Sequence, residues 1–387
     1  MKLLGGDMFI LRPLSKEVRL ADQVKSCLDQ LLVKCGAKGL TRSSIYKAIL
    51  FLNHERSAQD GFGLTEIMDL VKATVHRDML VILLDQPPVQ HDVVMEVYYF
   101  DPAAWDSGFH STGEGEALVF SRDGVKISTG FSFAGEDAYR TNSVKAFSGL
   151  EGLLSATGFS MGNIVRQWNY IAGILRFEGP YQHYQLFNEA RAKHYGDQFE
   201  GKGFPAATGI GTSGDGILIE YIAATGSGAI TGPIDNPEQV PAYLYPQELL
   251  KGEALDRVKS TPKFERGRYL SVHGTDMVFV SGTAAIRGPH VVYPGNTDLQ
   301  TLYTIDNIEQ LIAPQNLEEK GIRSGDFVFD YIRVYLKDRK DYPVVLKYCR
   351  EKYGNVPCVW IEADICRDEL MVEIEGFLVN GHPSALK

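Results

Sequence analysis

The sequence predicts an α+β chain in which one structural unit occurs three times. Two observations carry this. The same succession of helix, glycine-led strand, helix and closing strands recurs along the chain, and each copy ends with a glutamate set in an apolar strand (Glu96, Glu220 and Glu373). Composition agrees: 387 residues with 44% apolar and 23% charged residues describe a folded chain too long for a single core.

The first copy opens with a short strand candidate, GDMFILRPL, and the amphipathic helix RLADQVKSCLDQLLVKCG. A strand led by Gly39, GLTRSSIYKAILFLN, follows, then a helix, GLTEIMDLVKATV. Paired strands within DMLVILLDQPPVQHDVVMEVYYF complete it. The second copy begins with a hairpin, ALVFSRDGVKISTGFSF, and the helix SVKAFSGLEGLLSATG. It continues through GFSMGNIVRQWNYIAG from Gly158 and the helix YQLFNEARAKHYG to two strands around a Gly-rich turn, FPAATGIGTSGDGILIEYIAA. The third runs from the hairpin YLSVHGTDMVFVSGTAAIRG and the helix IDNIEQLIAPQNLEEKG to GIRSGDFVFDYIRVYLKD, led by Gly321. The helix YPVVLKYCREKYG and two strands joined by a tight polar turn, PCVWIEADICRDELMVEIEGF, close it. Strands rest on β-branched and aromatic runs, and helices on apolar spacing such as Val344, Val345, Tyr348 and Cys349. The expected domains are 1–100 (a degenerate copy), 113–225 and 266–387, with 226–265 as a linker or elaboration.

Charge and composition narrow the function. With 39 Lys+Arg against 49 Asp+Glu, the net charge of −10 argues against a nucleic-acid partner, which calls for a basic face. No apolar stretch approaches the ~18 residues of a membrane span, and the N-terminus has no signal-peptide core. Five cysteines without a CxxC pair, and no histidines at zinc-ligand spacing, point to reduced thiols and a cytoplasmic location. No Gly-rich phosphate loop or metal set is visible, so no cofactor is expected.

Among single residues, Glu373 stands out in LMVEIEGF. Alternation puts it on one face with Glu375, and Val372 and Ile374 on the other. A carboxyl held in an apolar cleft stays protonated near neutrality and can act as an acid. The competing reading is structural, because Glu96 and Glu220 occupy the same slot in the other copies. Arg333, in DYIRVYL, is either an ion-paired strand residue or a bidentate carboxylate binder. Tyr170 follows Gly158 at the offset by which Arg333 follows Gly321, and its alternative is an ordinary core aromatic. Tyr245 and Gln300 could orient hydroxyl or carboxylate groups. The small residues around SGTA (Gly282, Thr283 and Ala285) would let a ligand approach backbone N–H groups. Cys366 lacks a neighbour that would make it a nucleophile, apart from Arg367, and is expected to shape a cleft.

The hairpin–helix–strand–helix–hairpin unit closing on VEIEG resembles the RidA/YjgF (chorismate-mutase-like) family. Its members are small α+β domains that assemble as trimers with ligand sites in the clefts between neighbours. The resemblance implies a single-chain pseudo-trimer. That family's imine hydrolysis uses an arginine fourteen residues before the closing motif. Here the position is Cys358 in the last copy, and the middle copy has Ala207, so that reaction is not expected.

A second resemblance covers more of the chain. WNYIAGI, LFNEARA, PAATGIG, NPEQVPAYLYP, TPKFERG, SGTAAIRG and ADICRDELMVEIEG occur in the order seen in chorismatases, which remove the pyruvyl group of chorismate in secondary metabolism. The resemblance implies a cofactor-independent enzyme acting on a small carboxylate substrate, giving pyruvate and a hydroxybenzoate or cyclohexadiene diol. It implies Glu373 as general acid and substrate contacts from Arg333, Tyr170, Tyr245, Gln300, Gly282, Thr283, Ala285 and Cys366. Gly173 and Glu238 stand where that family carries arginines. Their absence favours the alternative of a non-catalytic scaffold that binds a small acid or a protein. A trimer satisfied within one chain implies a monomer or a weak homo-oligomer.

Overall fold

The computed structural model describes residues 2–16, 18–322 and 327–380. Arg323–Asp326, near the start of the third glycine-led strand, and the last seven residues of the third expected domain lie outside the described residues. The first repeat comprises β1 (Met8–Leu11), α1 (Leu20–Ala37), β2 (Ile45–Leu52), α2 (His54–Asp60), α3 (Leu64–Thr74), β3 (Leu80–Leu84) and β4 (Val93–Tyr99). The second comprises β5 (Asp106–Ser111), β6 (Gly115–Arg122), β7 (Val125–Ala134), α4 (Tyr139–Ala156), β8 (Ile164–Ala172), the two-residue strands β9 (Phe177–Glu178) and β10 (Tyr181–Gln182), α5 (His183–Tyr195), β11 (Ala206–Thr212) and β12 (Ile217–Thr225). The third comprises β13 (Ala229–Ile234), β14 (Gly267–Val272), β15 (Thr275–Ala284), the short β16 (Ile286–Arg287) and β17 (His290–Val291), α6 (Thr297–Ile312), α7 (Pro314–Glu319), β18 (Phe327–Leu336), α8 (Tyr342–Tyr353), β19 (Cys358–Glu362) and β20 (Val372–Asn380).

Local chemistry explains the boundaries. The hairpins β6–β7 and β14–β15 turn on Asp123-Gly124 and His273-Gly274, all four at positive φ, the twist that two-residue hairpin loops require. The expected helix IDNIEQLIAPQNLEEKG is broken into α6 and α7 because Pro314 cannot continue it but can begin a new one. Strand β13, in the segment expected to be a linker, extends the third sheet by pairing with β14.

The sheets run β1-β4-β2-β3, β11-β8-β12-β7-β6-β5 and β13-β14-β15-β20-β18-β19. This corrects the expectation of paired closing strands. In each repeat the last two strands are separated by the glycine-led strand, which runs parallel to one (β3, β11, β19) and antiparallel to the other (β4, β12, β20). The intervening helix forces this, since a β-helix-β crossover returns the chain parallel to its start. Helices cover one face of each sheet in separate cores, around Leu28, Phe147 and Ile308 respectively. The opposite faces meet in one shared core containing Phe51, Phe120, Trp168, Phe279 and Tyr335. No helix among the described residues is long and apolar enough to cross a membrane.

Register identifies the true counterparts. Each glycine-led strand carries a bulge near its start, and beyond it Glu96 opposes Ile49, Glu220 opposes Trp168 and Glu375 opposes Arg333. The acid shared by the three repeats is therefore Glu375, and Glu373 is not its equivalent. Glu373 opposes Tyr335, and its counterparts are Val94 and Leu218. By the same register Tyr170 corresponds to Tyr335, and Arg333 to Trp168.

The three shared glutamates meet at the centre, where each repeat's cation reaches the next repeat's acid. Lys47 bonds Glu220 at 2.7 Å, Arg166 bonds Glu375, and Arg333 bonds Glu96 at 2.6 Å. All six side chains are buried. Tyr98, Tyr331, Tyr335, Tyr170 and Thr208 donate their hydroxyls to the carboxylates, so these charges are hydrogen-bonded as well as paired.

Candidate active site

The contrast between two glutamates two residues apart on β20 defines the site. Glu375 points to the centre and takes bonds from Arg166, Thr208, Tyr335, Trp168 Nε1 (3.0 Å) and Arg333 (3.2 Å). Glu373 is 4% exposed, yet among the described residues nothing donates a hydrogen bond to its carboxyl and no cation pairs with it. Burial pushes this carboxyl up to about 8, the Glu375 charge adds to the rise, and Arg166 and Arg266 oppose it. A group in that state is protonated at neutral pH.

The Glu373 carboxyl lies over Gly282 of β15, where a side-chain Cβ would fall on its Oε1. This is the physical reason for glycine in SGTA. Gly282 N donates to Thr208 Oγ1 at 3.0 Å, and Thr208 donates in turn to Glu375. The β15 backbone beneath Glu373 is thus tied to the central ion pairs through a β11 residue of the second repeat.

The surrounding cleft lies between the second and third repeats. Tyr184, Gln185 and Asn188 of α5 form one wall, and Gly282, Ala284, Ile286, Cys366 and Leu370 form the other. The connector supplies a roof of Tyr245, Leu249, Leu250, Lys251, Pro262 and Phe264. The free volume is about 60 Å³. Arg266 donates to the Tyr245 hydroxyl at 2.6 Å and to Val240 O at 3.1 Å, while its buried Nε has no partner. Arg367 packs its guanidinium 4.8 Å from the Tyr245 ring and donates to Pro289 O. Behind the α5 wall, Arg191 is buried with an unpartnered Nε. The Cys366 thiol is pushed up to about 12 by burial, with Glu373 next in effect, so it is a neutral part of the wall.

Four of the expected site residues therefore come together: Glu373, Gly282, Tyr245 and Cys366. The other five do not line this cleft. Arg333 is 1% exposed and its guanidinium is occupied by Glu96, Glu375, Tyr331 and Tyr170, which corrects its reading as a substrate-binding cation. Tyr170 belongs to the same hub, its hydroxyl bonding Glu220 and Arg333. Gln300 is a strut between α6 and the start of β20, accepting from Met371 N and donating to Glu369 O. Thr283 bonds Ser281 O and lies on the strand face opposite Gly282, while Ala285 O accepts from Val292 N in a buried turn. Sequence reasoning passed over Arg191, Arg266 and Arg367, although the words LFNEARA, TPKFERG and ADICRDELMVEIEG contain them. Gly173 and Glu238 are not part of the lining, so the cleft's cations come from other positions.

Comparison with known proteins gives consistent results. Residues 104–223 match the family model described as chorismatase FkbO/Hyg5-like, N-terminal. The chain is 32% identical over 277 residues to a 3-hydroxybenzoate synthase of Streptomyces hygroscopicus, spanning 69% of this chain and 78% of that protein. It is 31% identical over 249 residues to a chorismatase of Streptomyces rapamycinicus, spanning 62% and 70%. A crystal structure of a chorismatase superposes with a TM-score of 0.69 at 21% identity, covering 96% of this chain and 98% of the other, and shares its fold.

Proposed function

The chain belongs to the chorismatase family, and from this premise we propose that it removes the enolpyruvyl group of chorismate, or of a close relative, as an enzyme of secondary metabolism. The observation that carries the reading is the buried, unpaired Glu373 carboxyl, held protonated beside a cleft lined by Lys251, Arg266 and Arg367.

In the proposed reaction Glu373 delivers its proton to the terminal methylene of the enolpyruvyl ether, leaving an oxocarbenium ion at the ether carbon. Water adds there, and the resulting hemiketal collapses with cleavage of the ether bond to the side-chain carbon. The products are pyruvate and a cyclohexadiene diol. If a ring hydroxyl traps the cation instead, loss of the elements of water from the ring and their return in pyruvate formation give a hydroxybenzoate with no net water consumed. Arg266 and Arg367 fit the substrate's two carboxylates, because guanidinium forks match carboxylates bidentately. The unpartnered Nε of Arg266 is a donor awaiting an acceptor. Cys366, neutral and next to Glu373, shapes the wall nearest the reacting carbon.

A void of about 60 Å³ is smaller than such a substrate, so entry requires the connector roof at Leu249–Lys251 to withdraw and close again. The test is a lactate dehydrogenase-coupled assay for pyruvate from chorismate. Wild type is expected to release pyruvate, and the folded Glu373→Gln variant is not. Absence of release from wild type with chorismate and close analogues overturns the proposal.

A further inference from the structure

The cleft between the third and first repeats carries a different chemistry. Its inner part encloses about 340 Å³ beside β19 and is lined by Arg12, Tyr342, Leu346, Arg350, Tyr353 and Trp360 among others. It shares Gln90 and Tyr342 with an outer mouth that adds Lys16, His91, Arg339 and Lys340. No acidic residue lines either part among the described residues. Arg339 and Lys340 are neutralised by Glu362 and Asp338. Arg12 and Arg350 have no carboxylate partner among the described residues. Arg12 crosses from the end of β1 to donate to Cys358 O at 2.6 Å, which leaves most of its fork unused. The Tyr353 hydroxyl and His91 Nδ1 are buried polar atoms without partners. Uncompensated cations and an orphaned buried hydroxyl in a pocket of ligand size, on a chain of net charge −10, are arranged to receive an anion.

We propose that this cleft is a second, non-catalytic site for a small ring carboxylate, its carboxylate held by Arg12 and Arg350 and its ring lying against Trp360 and Tyr342. The volume suits one substituted six-membered ring, the walls Leu346 and Trp360 are apolar, and the orphaned Tyr353 hydroxyl can meet a ring substituent. Without an acid in the lining among the described residues, the cleft binds and does not convert. Binding here does not depend on the chemistry of the Glu373 cleft.

Tryptophan fluorescence tests it, because Trp360 lines the cleft while Trp105 and Trp168 lie elsewhere. Benzoate is expected to change the emission saturably, and Trp360→Phe to remove the change. Benzamide, the neutral isostere, should bind about tenfold more weakly or worse, as should benzoate to Arg350→Gln and to Arg12→Gln. Glu373→Gln should leave benzoate affinity within about twofold. If Arg12→Gln fails to fold, the exposed Arg350→Gln decides. No response to millimolar benzoate, equal binding of benzamide, or insensitivity to Arg350→Gln overturns the proposal. Displacement of benzoate by an equal concentration of inorganic phosphate also overturns it, by reducing the site to a simple ion site.

Discussion

The cleft that holds Glu373 and the cleft between the first and second repeats are built to the same plan. In each, a helix of one repeat (α5 or α3) faces the closing strand of the next (β20 or β12). Each is also stitched by a backbone bond between the strand ends of two repeats: Gly211 N to Asp364 O in the first and Ser213 N to Asp85 O in the second. The lining differs in three respects. Where one has Glu373, the other has Leu218. The first gathers Lys251, Arg266 and Arg367, and the second has no cation in its lining among the described residues. A connector roofs the first down to about 60 Å³, while the second is an open apolar trough of about 520 Å³ with Phe133 and Leu64 exposed at its edge. One architecture therefore yields an acid held neutral or an inert groove, according to one residue and a roof. Covalent fusion permits this, because in a symmetric trimer every cleft changes together.

The sharpest way to break the comparison is to remove its defining group. Glu373→Gln should lower the rate of pyruvate release by about a thousandfold, the scale of a general acid, with circular dichroism unchanged. Arg266→Met should lower kcat/KM by about ten- to a hundredfold, mostly through KM, if its free Nε meets a substrate carboxylate. The assay is the steady-state rate against chorismate concentration.

The Glu373 carboxyl also predicts a pH effect. Its native value of about 8, raised from 4.5, means that the folded chain binds a proton between those limits that the unfolded chain does not. Stability should therefore be fully present below about 4.5 and be lost as pH rises towards 8, by about 1.4 kcal/mol per pH unit from this group. Denaturant titrations of wild type and Glu373→Gln should agree near pH 4.5 and diverge in favour of the variant by pH 8. Over the same range the rate should hold and then fall about tenfold per unit above pH 8, as the acid form is lost. The smallest effect sharpens the contrast from the other side: Leu218→Gln should leave the rate within about twofold, since that groove is remote from the reacting atoms. A large loss there would mean that the two clefts are coupled.

Much of this arrangement was legible in the residues. Strand alternation put Glu373 on one face with Glu375, helical spacing found the covering helices, and the hairpins β6–β7 and β14–β15 were visible as paired apolar runs. What misled was a slip of two residues. Because side chains alternate with period two, Glu373 and Glu375 share a face, and counting from the leading glycine cannot tell which of them matches Glu96 and Glu220. Only the bulged register of β2, β8 and β18 does so. The same slip paired Tyr170 with Arg333. The cleft's cations stayed hidden because Lys251, Arg266 and Arg367 are far apart in sequence, each in an ordinary polar setting, and the fold alone brings them together. Arg333 showed the right chemistry in its strand, but whether its partner would be a substrate or Glu96 depended on a repeat more than 200 residues away.

The three central ion pairs form a closed ring, first repeat to second, second to third and third back to first. Taking any one repeat out of place strands a buried acid in one neighbour and a buried cation in the other, each costing several kcal/mol. Partial unfolding of a single repeat is thereby penalised twice, which couples the three repeats in stability. The ring also joins the walls of all three clefts through one buried network.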